Sequence, residues 1–217
     1  MRVSDIDDTI KISNVLDKFE LLRNTFLVDA QPVAGIPQLY ASLARSLGDP
    51  QFVYISASPF QLYPFLNSFI DTTYAASKGP IFLQNVTMSN PTAIINFLTS
   101  EQKIFEYKVS QIVRLQIMYP NKKWLAIGDS TQKDPETYGE ACVTSCAFLF
   151  PKYNSLSSFR KFPGFIACIW IRHFDSANNT DARFQAAFAG VPANKYRLFT
   201  DDEIPFLSGI NVAAGEC

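Results

Sequence analysis

Three carboxylates crowd the start of the chain, in Val3-Ser4-Asp5-Ile6-Asp7-Asp8-Thr9-Ile10. Like charges this close repel, and the cluster is costly unless a cation neutralises it. Hard oxygen ligands of this kind suit Mg2+, which keeps several waters and is usually held by one or two carboxylates plus substrate phosphate. Asp and Thr also favour turns and helix caps, so the segment alone is equally readable as a turn. Three more clusters bear on the choice. Phe52-Val-Tyr-Ile-Ser56-Ala57-Ser58-Pro59 is an apolar run ending in a hydroxyl. Ser56 and the amide of Ala57 are placed to donate to a phosphoryl oxygen, while Ser58 fits a helix N-cap. Lys108 is one lysine among many. In Leu125-Ala-Ile-Gly128-Asp129 an apolar run meets a glycine and then an acid, with Asp134-Pro135 following. Gly128 is expected to permit a sharp turn there, and Asp129 to complete a metal site with Asp5.

Other chemistries lack material. The chain has one histidine, His173, so histidine triads and zinc hydrolase sites are excluded as leading readings. His173 itself reads as structural. The four cysteines, Cys142, Cys146, Cys168 and Cys217, are too sparse for a disulfide scaffold and are expected to be buried free thiols. Cys142 and Cys146 have a metal-like spacing, but no further ligand cluster accompanies them. The triplets Asn85-Val-Thr and Asn178-Asn-Thr matter only in a secreted protein.

These residues need a scaffold that brings distant segments together. Short apolar strands alternating with helical patterns predict an α/β fold, a Rossmann-like three-layer parallel sheet. The expected strands are Met1–Ser4, Phe52–Ser56, Trp124–Ile127, Ala147–Phe150 and Phe165–Arg172. Pro37 suits the first turn of a helix through Leu47, with Leu39, Leu43 and Leu47 on one face. Pro59 is expected to open a helix through Ile70. Ala93–Met118 reads as helical with a break near Ser100–Lys103, and shorter helices are expected at Pro135–Ala141 and Arg183–Ala189. The polar clusters then fall at carboxyl ends of strands, where open α/β sheets bind ligands. Phe60, Tyr63, Phe65 and Phe69 follow the second cluster; at helical spacing they read as core, with lipid contact as the rival.

The 217 residues suit a single domain, and 47% hydrophobic against 18% charged residues excludes disorder. A net charge of −1 gives no field to draw nucleic acid, and no nucleic-acid partner is expected. No apolar run approaches the roughly 18 residues of a membrane span. Met1–Ser4 is short for a buried strand, and we expect that it is cut short at Met1, any targeting signal being lost with the missing part. Cytoplasmic placement with peripheral membrane contact is favoured.

In order, the four clusters match the motifs of the haloacid dehalogenase superfamily: Asp-x-Asp-x-Thr, a strand-terminal Ser, a Lys, and Gly-Asp-x-x-x-x-Asp. The resemblance implies a fold of that type without a large cap domain, Asp5 as nucleophile, and Asp7 as general acid and base with a raised pKa. It implies Mg2+ held by Asp5, the Asp7 backbone carbonyl and Asp129, with Asp134 and Thr9 supporting. Ser56, Ala57 and Lys108 would hold the phosphoryl group, and Lys108 would balance Asp5. Longer strings are more specific: Ser4-Asp-Ile-Asp-Asp-Thr-Ile-Lys-Ile-Ser, Tyr54-Ile-Ser-Ala-Ser-Pro-Phe-Gln-Leu-Tyr-Pro, Gly128-Asp-Ser-Thr-Gln-Lys-Asp-Pro-Glu-Thr-Tyr-Gly and Ile169-Trp-Ile-Arg172. They resemble the catalytic domain of the fungal actin-patch-associated phosphatidate phosphatases. That family implies Mg2+-dependent conversion of phosphatidate to diacylglycerol, peripheral membrane contact, and actin-cortex partners reached through regions absent from this chain. Gln61 and Arg172 match family positions, though their residue types assign them no chemistry. A phosphatase of soluble or protein phosphates, and a catalytically idle scaffold, are the rival readings.

Overall fold

The computed structural model describes residues 1–85, 100–143 and 165–217. Six parallel strands form one sheet: β1 (Arg2–Ser4), β2 (Phe52–Pro59), β3 (Ile81–Gln84), β4 (Trp124–Asp129), β5 (Ile166–Arg172) and β6 (Tyr196–Phe199). Their order is β3-β2-β1-β4-β5-β6. The short β1 lies at the centre, with Ser4 opposite Tyr54 of β2 on one side and Ile127 of β4 on the other. The chain runs outward from β1 in one direction through β2 and β3. It then resumes on the other side at β4. That reversal opens a crevice beyond the carboxyl ends of β1 and β4, where such sheets bind ligands.

Both faces of the sheet are covered, which is why its central strands read as continuous apolar runs. Helices α1 (Lys18–Phe26), α2 (Ile36–Ser46) and α3 (Tyr63–Thr73) precede β3. Then come α4 (Glu101–Met118), α5 (Asp134–Val143), α6 (Asp181–Ala187) and α7 (Ile204–Leu207). Phe52, Tyr54, Ile127 and Trp170 face Leu39 and Leu43 of α2 and Leu66 and Phe69 of α3. Val3, Val53, Trp124 and Ile169 face Ile112 and Leu115 of α4 and Tyr138 of α5. α2 starts where expected: Gly35 takes φ 80°, a left-handed turn that favours glycine, and Pro37 sits in the first turn.

The differences from expectation have local causes. β2 runs on to Pro59, and the helical turn after it starts only at Phe60, so Pro59 closes the strand instead of opening the helix. β3 and β6 are four-residue strands at the two edges, too short and too partially covered to stand out as apolar runs. α4 begins at the expected break, at Glu101. The expected strand Ala147–Phe150, the start of the helix from Ala93, and Cys146 lie outside the described residues. Phe69 is core, as expected, but Phe60 and Tyr63 are exposed and stack on each other with centroids 5.9 Å apart.

The cysteines depart most from expectation. Cys168 on β5 and Cys217 are joined in a disulfide, with Cα atoms 5.5 Å apart. The tail returns to the sheet, where the Cys217 carbonyl accepts from Trp170 Nε1 at 3.2 Å and Arg197 Nε at 3.0 Å. Cys142 is free, as expected.

Candidate active site

Asp5 leaves the carboxyl end of β1 with its amide donating to the Ile127 carbonyl of β4, so the sheet ladder itself aims its side chain into the crevice. Lys108, midway along α4, is buried beside it. Its Nζ lies 2.6 Å from Asp5 Oδ1 and 2.5 Å from Asp134 Oδ1. Asp134 opens α5, and its other oxygen accepts from the Asp129 amide at 3.3 Å. The Thr9 hydroxyl stands 3.2 Å from Asp5 Oδ2 and 3.0 Å from Asp129 Oδ2. It has one proton, so it satisfies one of those oxygens at a time. Three segments far apart in sequence, at residues 5–9, 108 and 129–134, thus meet at one point.

Gly128 has a different use from the expected sharp turn. It lies within β4, and a Cβ there would fall on the Asp134 side chain, 2.7 Å from its Cβ. Glycine lets α5 approach the strand closely enough for Asp134 to reach Lys108.

The charges do not balance. Asp5, Asp129 and Asp134 present carboxylate oxygens within 4.8 Å of one another, all three residues are buried, and Lys108 is the one ammonium between them. Burial pushes Asp5 well above the usual carboxylate range, against the pull of Lys108. Burial, with help from Asp134 and Asp8, pushes Asp129 up to about 7. Asp134 is raised by burial too, and Lys108 is raised because its two carboxylates outweigh the cost of burying its charge. A buried acidic cluster with too little positive charge and oxygen lone pairs to spare has the donor set of a hard divalent cation site, so this cluster can hold a metal.

Asp7 occupies a separate niche. Its Oδ1 accepts from the Ser13 hydroxyl at 2.6 Å, and its Oδ2 from Ser56 at 2.8 Å and Ser58 at 3.1 Å. Lys11, buried, stands 4.0 Å from Oδ1 and donates to Ser13. The raised pKa expected of Asp7 is therefore corrected. Burial alone would raise it, but Lys11 and the three serine hydroxyls together hold it below the usual range. Ser58 is likewise no helix cap. Its amide donates to Ser56 Oγ and its hydroxyl to Asp7. Lys11, Ser13 and Ser58 escaped a reading of strand ends because a tight loop, not a strand, delivers the first two. Asp8 shapes that loop: at φ 56° it accepts the amides of Ser13, Asn14 and Val15.

Arg172 gains a structural role as well. It donates to the Asp8 carbonyl at 2.6 Å and pairs with Asp201, clasping the Asp8 loop to the segment that follows β6. His173 packs near Phe184 with Nδ1 3.4 Å from Asn179, apart from the acidic cluster. A cleft leads to Asp7 between Val15, Leu21 and Thr25 on one side and Ala57 and Ser58 on the other. On or beside the segments that supply its lining, Leu16, Phe19, Leu27 and Phe60 are exposed, Phe19 by 85% and Leu27 by 79%.

A family model described as the catalytic domain of phosphatidate phosphatase APP1 matches residues 1–146. The chain is 32% identical over 152 residues to phosphatidate phosphatase APP1 of Saccharomyces cerevisiae, covering 69% of this chain and 24% of the yeast protein. The chain therefore spans about a quarter of the length of that relative.

Proposed function

The chain belongs to the family of the APP1 phosphatidate phosphatase catalytic domain, and from that premise we propose that it hydrolyses phosphatidate to diacylglycerol and phosphate at Asp5. The observation that carries the reading is the convergence of Asp5, Lys108, Asp129 and Asp134 beyond the central strands, next to the serine-lined niche of Asp7. A carboxylate nucleophile splits hydrolysis into two easier steps. Asp5 attacks phosphorus, the bond to the glycerol oxygen breaks, and that oxygen takes a proton from Asp7. Asp7, now ionised, takes a proton from water, which attacks the phosphorus of the aspartyl-phosphate and frees Asp5.

In the resting site Asp7 is held ionised, so the proton it gives must arrive with the substrate. A phosphate seated against Ser56 brings negative charge and competes for the hydroxyls that now stabilise the carboxylate. Both effects raise the Asp7 pKa when the proton is needed. Lys108 balances Asp5 and, with Ser56 and the Ala57 amide, holds the transferring group. Mg2+ held by Asp5, Asp129 and the Asp7 carbonyl, with Asp134 and Thr9 supporting, would neutralise the phosphoryl oxygens.

The lipid substrate fits the approach to the site. The segments that line the cleft to Asp7 also carry or adjoin exposed Phe19, Leu27 and Phe60, which can lie in a membrane surface while the headgroup reaches in. No helix among the described residues is long and apolar enough to cross a membrane. The test is phosphate release from phosphatidate vesicles, sugar phosphates and phosphopeptides, with Mg2+ and then with chelator. Release from phosphatidate alone, abolished by chelator and by Asp5→Asn, is expected. Full activity in Asp5→Asn would sink the nucleophile, and preference for the soluble esters would sink the lipid.

A further inference from the structure

Of the two Asn-x-Thr triplets, Asn178-Asn179-Thr180 lies wholly among the described residues, in the loop between β5 and α6. Asn178 is exposed, and its Oδ1 accepts from the Thr180 hydroxyl at 3.2 Å. The loop is held by other groups. Asn179 Nδ2 donates to the Phe174 carbonyl at 2.7 Å, and Arg183 binds the backbone carbonyl of Asn178 at 2.9 Å. Among the described residues, none accepts from the Asn178 side-chain amide. Thr180 also caps α6, accepting from the Arg183 amide. Capping explains a hydroxyl at 180, but it does not explain an exposed asparagine two residues before it.

The second observation is the Cys168–Cys217 disulfide. Such bridges persist in oxidising compartments and are rare in the cytosol. N-linked glycans are attached to Asn-x-Thr in the same route, on surface loops. Two unrelated chemistries thus point to one compartment. We propose that the protein matures in an oxidising secretory compartment and carries an N-linked glycan on Asn178. In that step the Asn178 amide nitrogen bonds the anomeric carbon of an oligosaccharide carried on a lipid pyrophosphate. The sugar–pyrophosphate bond breaks and the amide gives up one proton. For the bridge, Cys168 and Cys217 pass two electrons and two protons to a disulfide-bearing oxidoreductase.

This inference is independent of the substrate, because neither the loop nor the bridge touches Asp5. The test is peptide mapping of the protein purified from its own cells, alkylated without reductant. Trypsin leaves Asn178 in the peptide His173–Arg183. The expected result is that this peptide is seen only after glycosidase, with Asn178 converted to Asp, and that Cys168 and Cys217 are recovered cross-linked. Recovery of the unmodified peptide before glycosidase overturns the glycan, and alkylated Cys168 and Cys217 overturn the compartment. Asn178→Gln places a similar side chain in solvent and is expected to fold, secrete and lose the glycosidase-dependent mass shift of that peptide. An unchanged shift in the whole protein overturns the assignment to Asn178.

Discussion

The two ends of β1 treat buried charge in opposite ways. At the carboxyl end the buried Lys108 ammonium sits between Asp5 and Asp134, and those carboxylates hold its proton more tightly than water would. At the amino end Arg2 is just as buried, yet none of its three guanidinium nitrogens has a hydrogen-bond partner among the described residues. Its guanidinium lies 5.0 Å from the Phe52 ring centroid, and burial lowers its pKa to about 10. Lys108, which the proposed mechanism uses, is surrounded by opposite charge, whereas Arg2, which it does not use, is left to the packing around its stem. The contrast also accounts for the acidic excess around Lys108, which stability alone would not select.

The largest effect is expected from Lys108→Met. It leaves Asp5 and Asp134 buried without the ammonium that balances them, a change that typically costs about 3–5 kcal/mol. Denaturant melts should show that loss, and phosphate release should fall by about 10²–10³-fold or more. A stable Lys108→Met protein would mean that the two acids are neutral in the folded state, and would break the contrast with Arg2.

Cation binding gives the next effect, and its sign follows from Asp129. The folded state holds a proton on Asp129 up to about pH 7, whereas an unfolded aspartate loses it near 3.8. Between those values the folded chain binds more protons than the unfolded one, so without cation its stability falls as pH rises through that window. Excess Mg2+ favours the ionised cluster and should stabilise most at the upper end, by about 2–3 kcal/mol at a hundredfold excess over Kd. Thermal melts from roughly pH 5 to 8 with chelator, then with Mg2+, read both slopes. Identical slopes would show that the cluster is not where the cation binds.

How far these features could be read from residues alone differs between the same regions. Asp5 was legible because three acids crowd positions 5 to 8, and Ser56 and Asp129 because each ends an apolar run, where a buried parallel strand meets polar residues. The central strands were legible for the same reason, and the edge strands β3 and β6 were not. The partners of Asp7 were hidden because a loop folded around Asp8 brings Lys11 and Ser13 back across it. With them the sign of its pKa shift was hidden too. A crowded cluster suggests repulsion, but one ammonium and three hydroxyls outweigh it. Cys168 and Cys217 are 49 residues apart, and only the return of the tail to β5 makes them neighbours.

Arg2→Met carries the smallest effect, and its direction is the instructive part. Methionine keeps an unbranched stem of similar reach against Phe52 while removing a charge that no carboxylate offsets. Replacing buried ionic groups with apolar ones of similar volume is often neutral or stabilising by about 1–4 kcal/mol. Here the lower part of that range is expected, because the ring already shares the charge and the stem already packs. Denaturant midpoints should rise with the slope unchanged, and turnover should stay the same, since Arg2 is the first paired residue of β1 and Asp5 follows its last, Ser4. A marked loss of stability would mean that Arg2 is compensated as Lys108 is, and that the two ends of β1 follow one rule after all.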